Sequence, residues 1–259
     1  MNDINSQKVI NSAEEIECTQ KNYLSSIVKR CPILPLQATR LLHLVIYKVI
    51  KSNESENTYV GSIKELSEFF GVSKNNIYRD IDRLSDELHS QYVYVGNDDP
   101  KQRWEMVPWL SKSYYDGKGT LTIKLSAGIM PYVECLKKYA GDDYFFSIFH
   151  FCSSYSVRIY QLIFADLLIN RTTKLEYDVE EFRKYVCCTG KLKRFSDFRK
   201  KVIDVAIRDI NEHAAFDVSA SYERKSGKVT KINLDVIFPK DKEQQSADTS
   251  TLRLTSAAR

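Results

Sequence analysis

The spacing of apolar residues predicts three helices in the first part of the chain. Apolar side chains cover most of the circumference of a helix over residues 36–51, which should therefore lie centrally in its domain. Ser62 and Glu65 form a capping box ahead of a second helix, and Gly71 fits the left-handed residue that ends it. Ser73 caps a third helix. The expected buried stripe of that helix consists of Ile77, Ile81, Leu84 and Leu88.

A segment rich in predicted strands follows the third helix. Apolar and polar residues alternate over 91–95, 103–115 and 120–125, and polar turns over 96–100 and 116–119 separate these stretches. Helix, helix, turn, helix and then a β-hairpin is the order of elements in a winged-helix domain, a relative of the helix-turn-helix. The first half of the chain therefore predicts one such domain.

The same order of elements returns in the second half. Helices are expected over 155–169, 179–187 and 196–213, and alternating strands over 216–223 and 228–238. The turn between these strands is polar and contains a glycine, which is typical of a hairpin. The sequence therefore predicts an α+β fold with two pseudo-symmetric winged-helix domains in tandem.

A polar stretch around Gly141 marks the expected boundary between the two domains. The first domain is expected over residues 21–140 and the second over residues 144–238. The ends over 1–20 and 239–259 have few apolar anchors and are expected to be flexible.

Composition is that of a globular protein, and the chain is expected to stay in the cytoplasm. Apolar residues make up 43% of it and aromatic residues 12%, which is enough for real cores. No apolar run approaches the ~18 residues that a membrane span needs. The N-terminus lacks the apolar core of a signal peptide. The six cysteines show no C-x-x-C pair and are expected to be free thiols, with a redox role for Cys187 and Cys188 left open.

Positive charge concentrates at the start of the last predicted helix, although the whole chain carries only +4. From residue 191 to residue 208 there are seven basic and two acidic residues, a local net charge of +5. A recognition helix reaches base edges with its N-terminal end, while Lys and Arg neutralise phosphates. The alternatives are a solvated basic face and, for Arg199, a position over the core. The DNA-binding candidates here are Lys191, Lys193, Arg194, Ser196, Asp197, Arg199, Lys200 and Lys201, with Arg224, Lys225 and Lys228 in the hairpin that follows.

The third helix of the first domain has a more balanced charge. Between Ser73 and His89 three basic residues meet four acidic ones, so this face should bind phosphate weakly. Asn and Arg near the helix start could still read adenine and guanine. An ordinary polar face is the alternative. The candidates are Ser73, Lys74, Asn75, Asn76, Arg79 and Arg83.

The inventory of reactive residues argues against an enzyme. The four histidines are scattered along the sequence, and His43 is expected to be a packed core residue. A rolling-circle nickase would need a metal-binding His pair close in sequence beside a nucleophilic tyrosine. The chain has no G-x-x-x-x-G-K-[ST] motif for ATP and no Cys/His set with zinc spacing. We therefore expect no catalytic residue, no metal and no cofactor.

Several segments resemble the iteron-binding initiator proteins of theta-replicating plasmids. Residues 153–162 are similar to that family's S-x-Y-S-x-R-x-Y-x-L helix, and residues 195–203 to its F-x-x-F-K-R-x-V-L. Residues 180–185 stand where the family has a Leu-Arg pair, residues 206–211 resemble A-x-x-E-I-N, and residues 227–230 stand where it often has G-R-K-V. The departures are Phe182 for an aliphatic residue, Asp209 for Glu and Lys228 in the Gly-Arg region.

The resemblance implies a function at a plasmid origin. It implies binding of double-stranded DNA at direct repeats (iterons), autorepression as a homodimer and initiation as a monomer. It also implies recruitment of the host replication initiator and the replicative helicase, and no membrane contact. The first domain would then dimerise and make auxiliary DNA contacts, and the second would be the main DNA-binding domain. The alternatives are a winged-helix transcriptional repressor without a replication role and, less favoured, a nicking enzyme.

Overall fold

The computed structural model describes residues 24–52, 57–96 and 104–238. The expected flexible ends, 1–20 and 239–259, and the thiol of Cys18 lie outside these residues. The chain divides into two compact units between Phe149 and His150.

The helices of the first unit lie where the apolar pattern predicts them. After a helical stretch over residues 24–30 (α1), α2 spans Leu36–Lys51, α3 spans Ile63–Phe70 and α4 spans Lys74–His89. Ser62 Oγ accepts a hydrogen bond from the N–H of Glu65 at 3.1 Å, and Ser73 Oγ accepts one from Asn76. Gly71 ends α3 with φ of 64°, a conformation that favours glycine. The expected stripe of α4 is buried.

The strands of the first unit form two separate sheets. Strands β1 (Thr58–Ser62), β4 (Leu110–Tyr115) and β5 (Thr120–Leu125) form an antiparallel sheet in the order β1-β5-β4. Strands β2 (Tyr92–Gly96) and β3 (Trp104–Pro108) form a two-stranded antiparallel sheet. The expected single strand over 103–115 is therefore wrong, because the chain changes sheet at Trp109, whose side chain is buried.

Two further helices complete the first unit. A single 3₁₀ turn, Ala127–Ile129, leads into α5 (Met130–Tyr139), and α6 spans Asp142–His150. Phe145 and Phe149 of α6 contact Tyr47 of α2, with ring centres 5.2 and 6.3 Å away. The division of the chain falls before the last residue of α6, and residues 144–149, which we expected in the second domain, belong to the first unit.

The second unit repeats the architecture of the first. Helix α7 (Ser154–Asn170) is followed by β6 (Lys174–Asp178), α8 (Val179–Tyr185), the long helix α9, β7 (Asp217–Lys225) and β8 (Lys228–Ile237). The sheet is antiparallel in the order β6-β8-β7, which matches the order of the first unit's three-stranded sheet. Each unit is thus a winged helix, and the first carries β2–β3 as an added hairpin.

The core of the second unit lies between α7, α8, α9 and the inner face of the sheet. Phe182 of α8 and Phe198 of α9 are fully buried, with ring centres 6.3 Å apart. Tyr160 of α7 stacks on Phe216 at 5.6 Å. Burial of aromatic rings on this scale fixes α9 firmly against the sheet.

Candidate nucleic-acid interface

Helix α9 is continuous from Phe195 to His213 but changes its winding. It is α-helical over Phe195–Phe198, π-helical over Arg199–Ile203 and α-helical again over Asp204–His213. The wider π turn was not predicted, and such turns recur at functional sites. On one face of α9, Phe198, Val202, Ala206 and Ile210 are fully buried, while Phe195 and Val205 are half-buried. The opposite face therefore projects Lys200 and Lys201, both exposed, toward solvent.

The loop before α9 has an unusual backbone. Cys187, Gly190 and Leu192 all have positive φ, at 51°, 75° and 48°. A left-handed conformation costs a residue with a side chain roughly 1–2 kcal/mol, so contacts elsewhere must hold this loop. Lys191, Lys193 and Arg194 project from it and are exposed.

The wing is the hairpin formed by β7 and β8. Its two-residue turn uses Ser226 and Gly227, with φ of 51° and 79°, which suits the right-handed twist of the strands. Tyr222 of β7 faces α9: its ring centre lies 5.2 Å from that of Phe195 and 5.7 Å from the guanidinium carbon of Arg199. Burial raises the pKa of Tyr222 to about 12, so its hydroxyl stays protonated at neutral pH.

Helix α9 and the wing enclose a cleft of about 650 Å³. Six of the residues singled out in the sequence line it: Lys193, Ser196, Arg199, Lys200, Arg224 and Lys228. The other lining residues are Val179, Glu180, Arg183, Phe195, Tyr222, Gly227 and Val229. Five predicted residues of the second unit lie outside the lining, namely Lys191, Arg194, Asp197, Lys201 and Lys225. Charge patterning could not find Tyr222 and Arg183, because one is aromatic and the other lies on a different helix.

Most of the cations at this site have no acidic partner. Among the described residues, Lys191, Lys193, Arg194, Lys200 and Lys201 take part in no ion pair. Arg199 differs: its Nε lies 3.2 Å from Asp204 Oδ2, and its guanidinium lies over the ring of Tyr222. The interface therefore presents a field of unneutralised positive charge, which suits a polyanion.

Helix α4 of the first unit presents a different surface. Arg79 forms two hydrogen bonds to the carboxylate of Asp80, at 3.2 and 3.3 Å, and Arg83 pairs with Glu87 at 2.7 Å. The bond from Arg79 lowers the pKa of Asp80, so that carboxylate stays charged. Lys74 and Asn75 are exposed, Asn76 is half-buried, and Ser73 Oγ already serves the helix cap. Both arginines of this helix are thus partly neutralised by neighbouring acids.

Two polar residues of the segment 206–211 are structural. Asp209 is buried, and its Oδ2 accepts a hydrogen bond from the backbone N–H of Cys152 at 2.9 Å. The side-chain amide of Asn211 binds the backbone of Val218 in β7. These side chains hold α9 to its neighbours.

The described titratable groups outside the cleft include a pair of histidines and a buried thiol. His150 and His213 are distant in sequence, but their ring centres lie 5.5 Å apart. Within the described residues, no group of three or more His, Cys, Asp or Glu side chains could hold a metal ion. Cys188 is buried, and burial raises the pKa of its thiol. No helix of the described residues is long and apolar enough to span a bilayer.

Comparison with known proteins places this architecture among replication proteins. Residues 17–164 match the family described as "Initiator Replication protein, WH1", and residues 178–236 match "Initiator Rep protein, WH2". No curated protein matches the chain.

A solved structure of an initiator protein shares the fold. The crystal structure of Pi initiator protein in complex with iteron DNA is 19% identical with a TM-score of 0.63, covering 84% of this chain and 95% of that one. The WH1 domain of MSBI1.176, a replication protein isolated from a multiple sclerosis patient, is 17% identical (TM-score 0.36; 47% and 94% covered). Domains 2–3 of RctB are 11% identical (TM-score 0.44; 77% and 82% covered). Because the two family matches span most of the sequence, the chain belongs to the initiator Rep proteins, with a WH1 unit followed by a WH2 unit.

Proposed function

We propose that this protein binds direct repeats in double-stranded DNA at a plasmid origin and starts replication there. The observation that carries the proposal is the cleft of the second unit, where α9, the loop before it and the wing bring basic side chains together. Pi initiator protein, which shares the fold, is described in complex with iteron DNA. The site residues named in the sequence analysis are proposed as the contacts.

The side chains divide by the DNA group that they would meet. Lys191 and Lys193 precede α9, and Lys228 stands on the wing, where flexible ammonium groups suit phosphates. Arg194 and Lys200 stand at the start of α9 and on its outward face, where a side chain can reach a guanine edge. The phosphate contacts would give affinity for any duplex, and the base contacts would give preference for the repeat.

The first unit is proposed as the dimerisation domain with an auxiliary DNA contact. The arginines of α4 are paired with Asp80 and Glu87, so this helix offers less free charge than α9. We also propose that the dimer represses its own gene, that the monomer initiates, and that the host initiator and replicative helicase are recruited. A chain that sediments as a monomer at every concentration and represses no operator would contradict the dimer.

The chain is proposed to act by binding alone, in the cytoplasm, without a cofactor and without catalysis. His150 and His213 approach each other, but among the described residues no third metal ligand joins them. Nicking of supercoiled DNA by the purified chain with a divalent metal would contradict this part of the proposal.

A plasmid maintenance assay tests the proposal. The origin region is placed on a plasmid without the gene, and the chain is supplied from a second replicon. The wild-type chain should maintain the plasmid, and a triple alanine variant of Lys193, Lys200 and Lys228 should not. The matched control removes the same charge elsewhere, at Lys64, Lys137 and Lys174, and should maintain it. A wild-type chain that represses a reporter but never maintains the plasmid would be a transcriptional repressor instead.

A further inference from the structure

Arg183 is a cation that faces inward. It lies on α8, and only 7% of its side chain is exposed. Its two terminal nitrogens donate to backbone carbonyls of the loop before α9: Nη1 to Lys191 at 3.0 Å and Nη2 to Leu192 at 3.1 Å. Its guanidinium carbon lies 4.1 Å from the ring centre of Phe198 in α9. One side chain thus connects α8, the loop and the recognition helix.

The loop that Arg183 holds carries two of the proposed phosphate contacts. Its carbonyl partners are two consecutive peptide groups, and Lys193 follows them directly. Fixing these peptide planes fixes the directions in which the side chains of Lys191 and Lys193 leave the backbone. Leu192 between them has φ of 48°, which a residue with a branched side chain adopts only when its surroundings impose it.

Arg183 lines the cleft, but its burial leaves it little capacity to bind DNA itself. Only 7% of its side chain is exposed, each terminal nitrogen already donates to a carbonyl, and Nε lies 4.0 Å from Glu180 Oε1. A planar guanidinium can span two adjacent carbonyls and stack on a phenyl ring at the same time, which an ammonium group cannot do.

We propose that Arg183 is a positioning residue for DNA binding: it holds the strained loop so that Lys191 and Lys193 reach phosphates, without touching DNA. This inference rests on the proposed function. A positioning role and a direct DNA contact predict different results for Arg183→Lys. A lysine side chain would keep the positive charge but lose the bridge between the two carbonyls.

The test compares the full-length wild type with Arg183→Lys on a repeat duplex and a scrambled duplex at several salt concentrations. The variant should bind both duplexes roughly tenfold more weakly and leave their ratio unchanged. Its salt slope should fall by about 2, because two phosphate contacts are lost. The control, Val236→Ala, removes core volume from β8 at a distance from the loop and should lower the melting temperature without changing the slope. A wild-type affinity and slope in Arg183→Lys would overturn the inference.

Two further measurements distinguish a loss of loop positioning in Arg183→Lys from a general loss of stability. Hydrogen exchange without DNA should be faster at residues 187–194 in Arg183→Lys than in the wild type, and unchanged exchange there would contradict the inference. Leu192→Gly removes the side-chain penalty for positive φ. In that background Arg183→Lys should cost less affinity, and an equal cost in both backgrounds would overturn the mechanism. A wild-type chain that binds neither duplex would instead overturn the proposed function, and this inference with it.

Discussion

Asn211 of α9 exchanges two hydrogen bonds with the backbone of Val218 in β7. Its Nδ2 donates to the Val218 carbonyl at 3.1 Å, and the Val218 N–H donates to its Oδ1 at 2.7 Å. An amide side chain matches the spacing of a backbone donor and acceptor in the way that a neighbouring strand would. Since α9 and the wing are the two walls of the cleft, this pair fixes how one wall meets the other.

Asn211→Ala should therefore destabilise the protein. It leaves a partly buried N–H and C=O without their partner, which costs about 1–3 kcal/mol in the free energy of unfolding. Urea denaturation measures the change, with the exposed Asn170→Ala as the control, expected within ~0.5 kcal/mol of the wild type. Equal stability of the two variants would show that the pair does not hold the wing.

Two neighbouring residues of α9 should affect different properties: Phe198 the stability of the fold, and Lys200 the affinity for DNA. Phe198 is fully buried, so Phe198→Ala should open a cavity and cost about 3–5 kcal/mol. Lys200 is exposed, and Lys200→Ala should leave the free energy of unfolding within ~0.5 kcal/mol of the wild type while weakening DNA binding. Denaturation and duplex binding of both variants check this, and a stable Phe198→Ala would contradict the assignment of the buried face.

Residues that contact phosphates should respond to alanine substitution differently from residues that contact bases. Lys191→Ala or Lys193→Ala should weaken binding to all duplexes alike and lower the salt slope by about 1. Arg194→Ala or Lys200→Ala should cost about 1–3 kcal/mol on the repeat and much less on scrambled DNA. Lys200→Ala that weakened both duplexes equally would move Lys200 to the phosphate class. If none of the four mattered, the basic face would be merely solvated.

The first unit should contribute less binding energy than the second. Arg79 is already bonded to Asp80, so Arg79→Ala removes less free positive charge than Arg194→Ala. We expect the affinity loss from Arg79→Ala to be several-fold smaller at the same salt concentration. Fluorescence anisotropy with the repeat duplex compares the two, and a larger loss from Arg79→Ala would mean that α4 is the principal DNA contact.

Protonation of His43 should weaken the first unit in acid. His43 is fully buried, and desolvation lowers its pKa from 6.5 to about 4, while its Nδ1 contacts the carbonyl of Thr39 at 2.8 Å. Between these two pH values the unfolded chain binds a proton that the folded chain does not. Stability should therefore fall as the pH drops from 6.5 toward 4, by up to about 3 kcal/mol. His43→Gln should show a smaller fall in denaturation curves, and an identical fall would contradict this origin.

Local signals predicted most of the helices and the hairpin of the wing. Capping by Ser62 and Ser73 depends on residues within one turn, and both caps form as expected. The elements that were missed depend on distant partners. Strands β1 and β6 are only five residues long, and each is held by pairing with a strand that is distant in sequence, β5 or β8. Helix α6 was missed because the polar residues before it suggested a linker.

The basic residues of the candidate site could be predicted from the sequence, because the local concentration of positive charge marks them. Lys193, Lys200 and Lys228 stand out in the sequence, and the fold brings them to one cleft. The inward direction of Arg183, the π turn in α9 and the backbone bonds of Asn211 follow from tertiary packing. In the sequence, these residues are indistinguishable from surface polar residues on amphipathic helices.

The most direct test of the account is binding of the full chain to the direct repeats beside its own coding sequence, compared with a scrambled duplex at physiological salt. We expect tighter binding to the repeat by about 10³-fold or more. The triple alanine variant of Lys193, Lys200 and Lys228 should lose most of its affinity for the repeat, and the Lys64, Lys137 and Lys174 control should keep it. Equal affinity of the wild type for repeat and scrambled DNA, or a triple variant that binds like the wild type, would contradict the claim that this cleft recognises an origin.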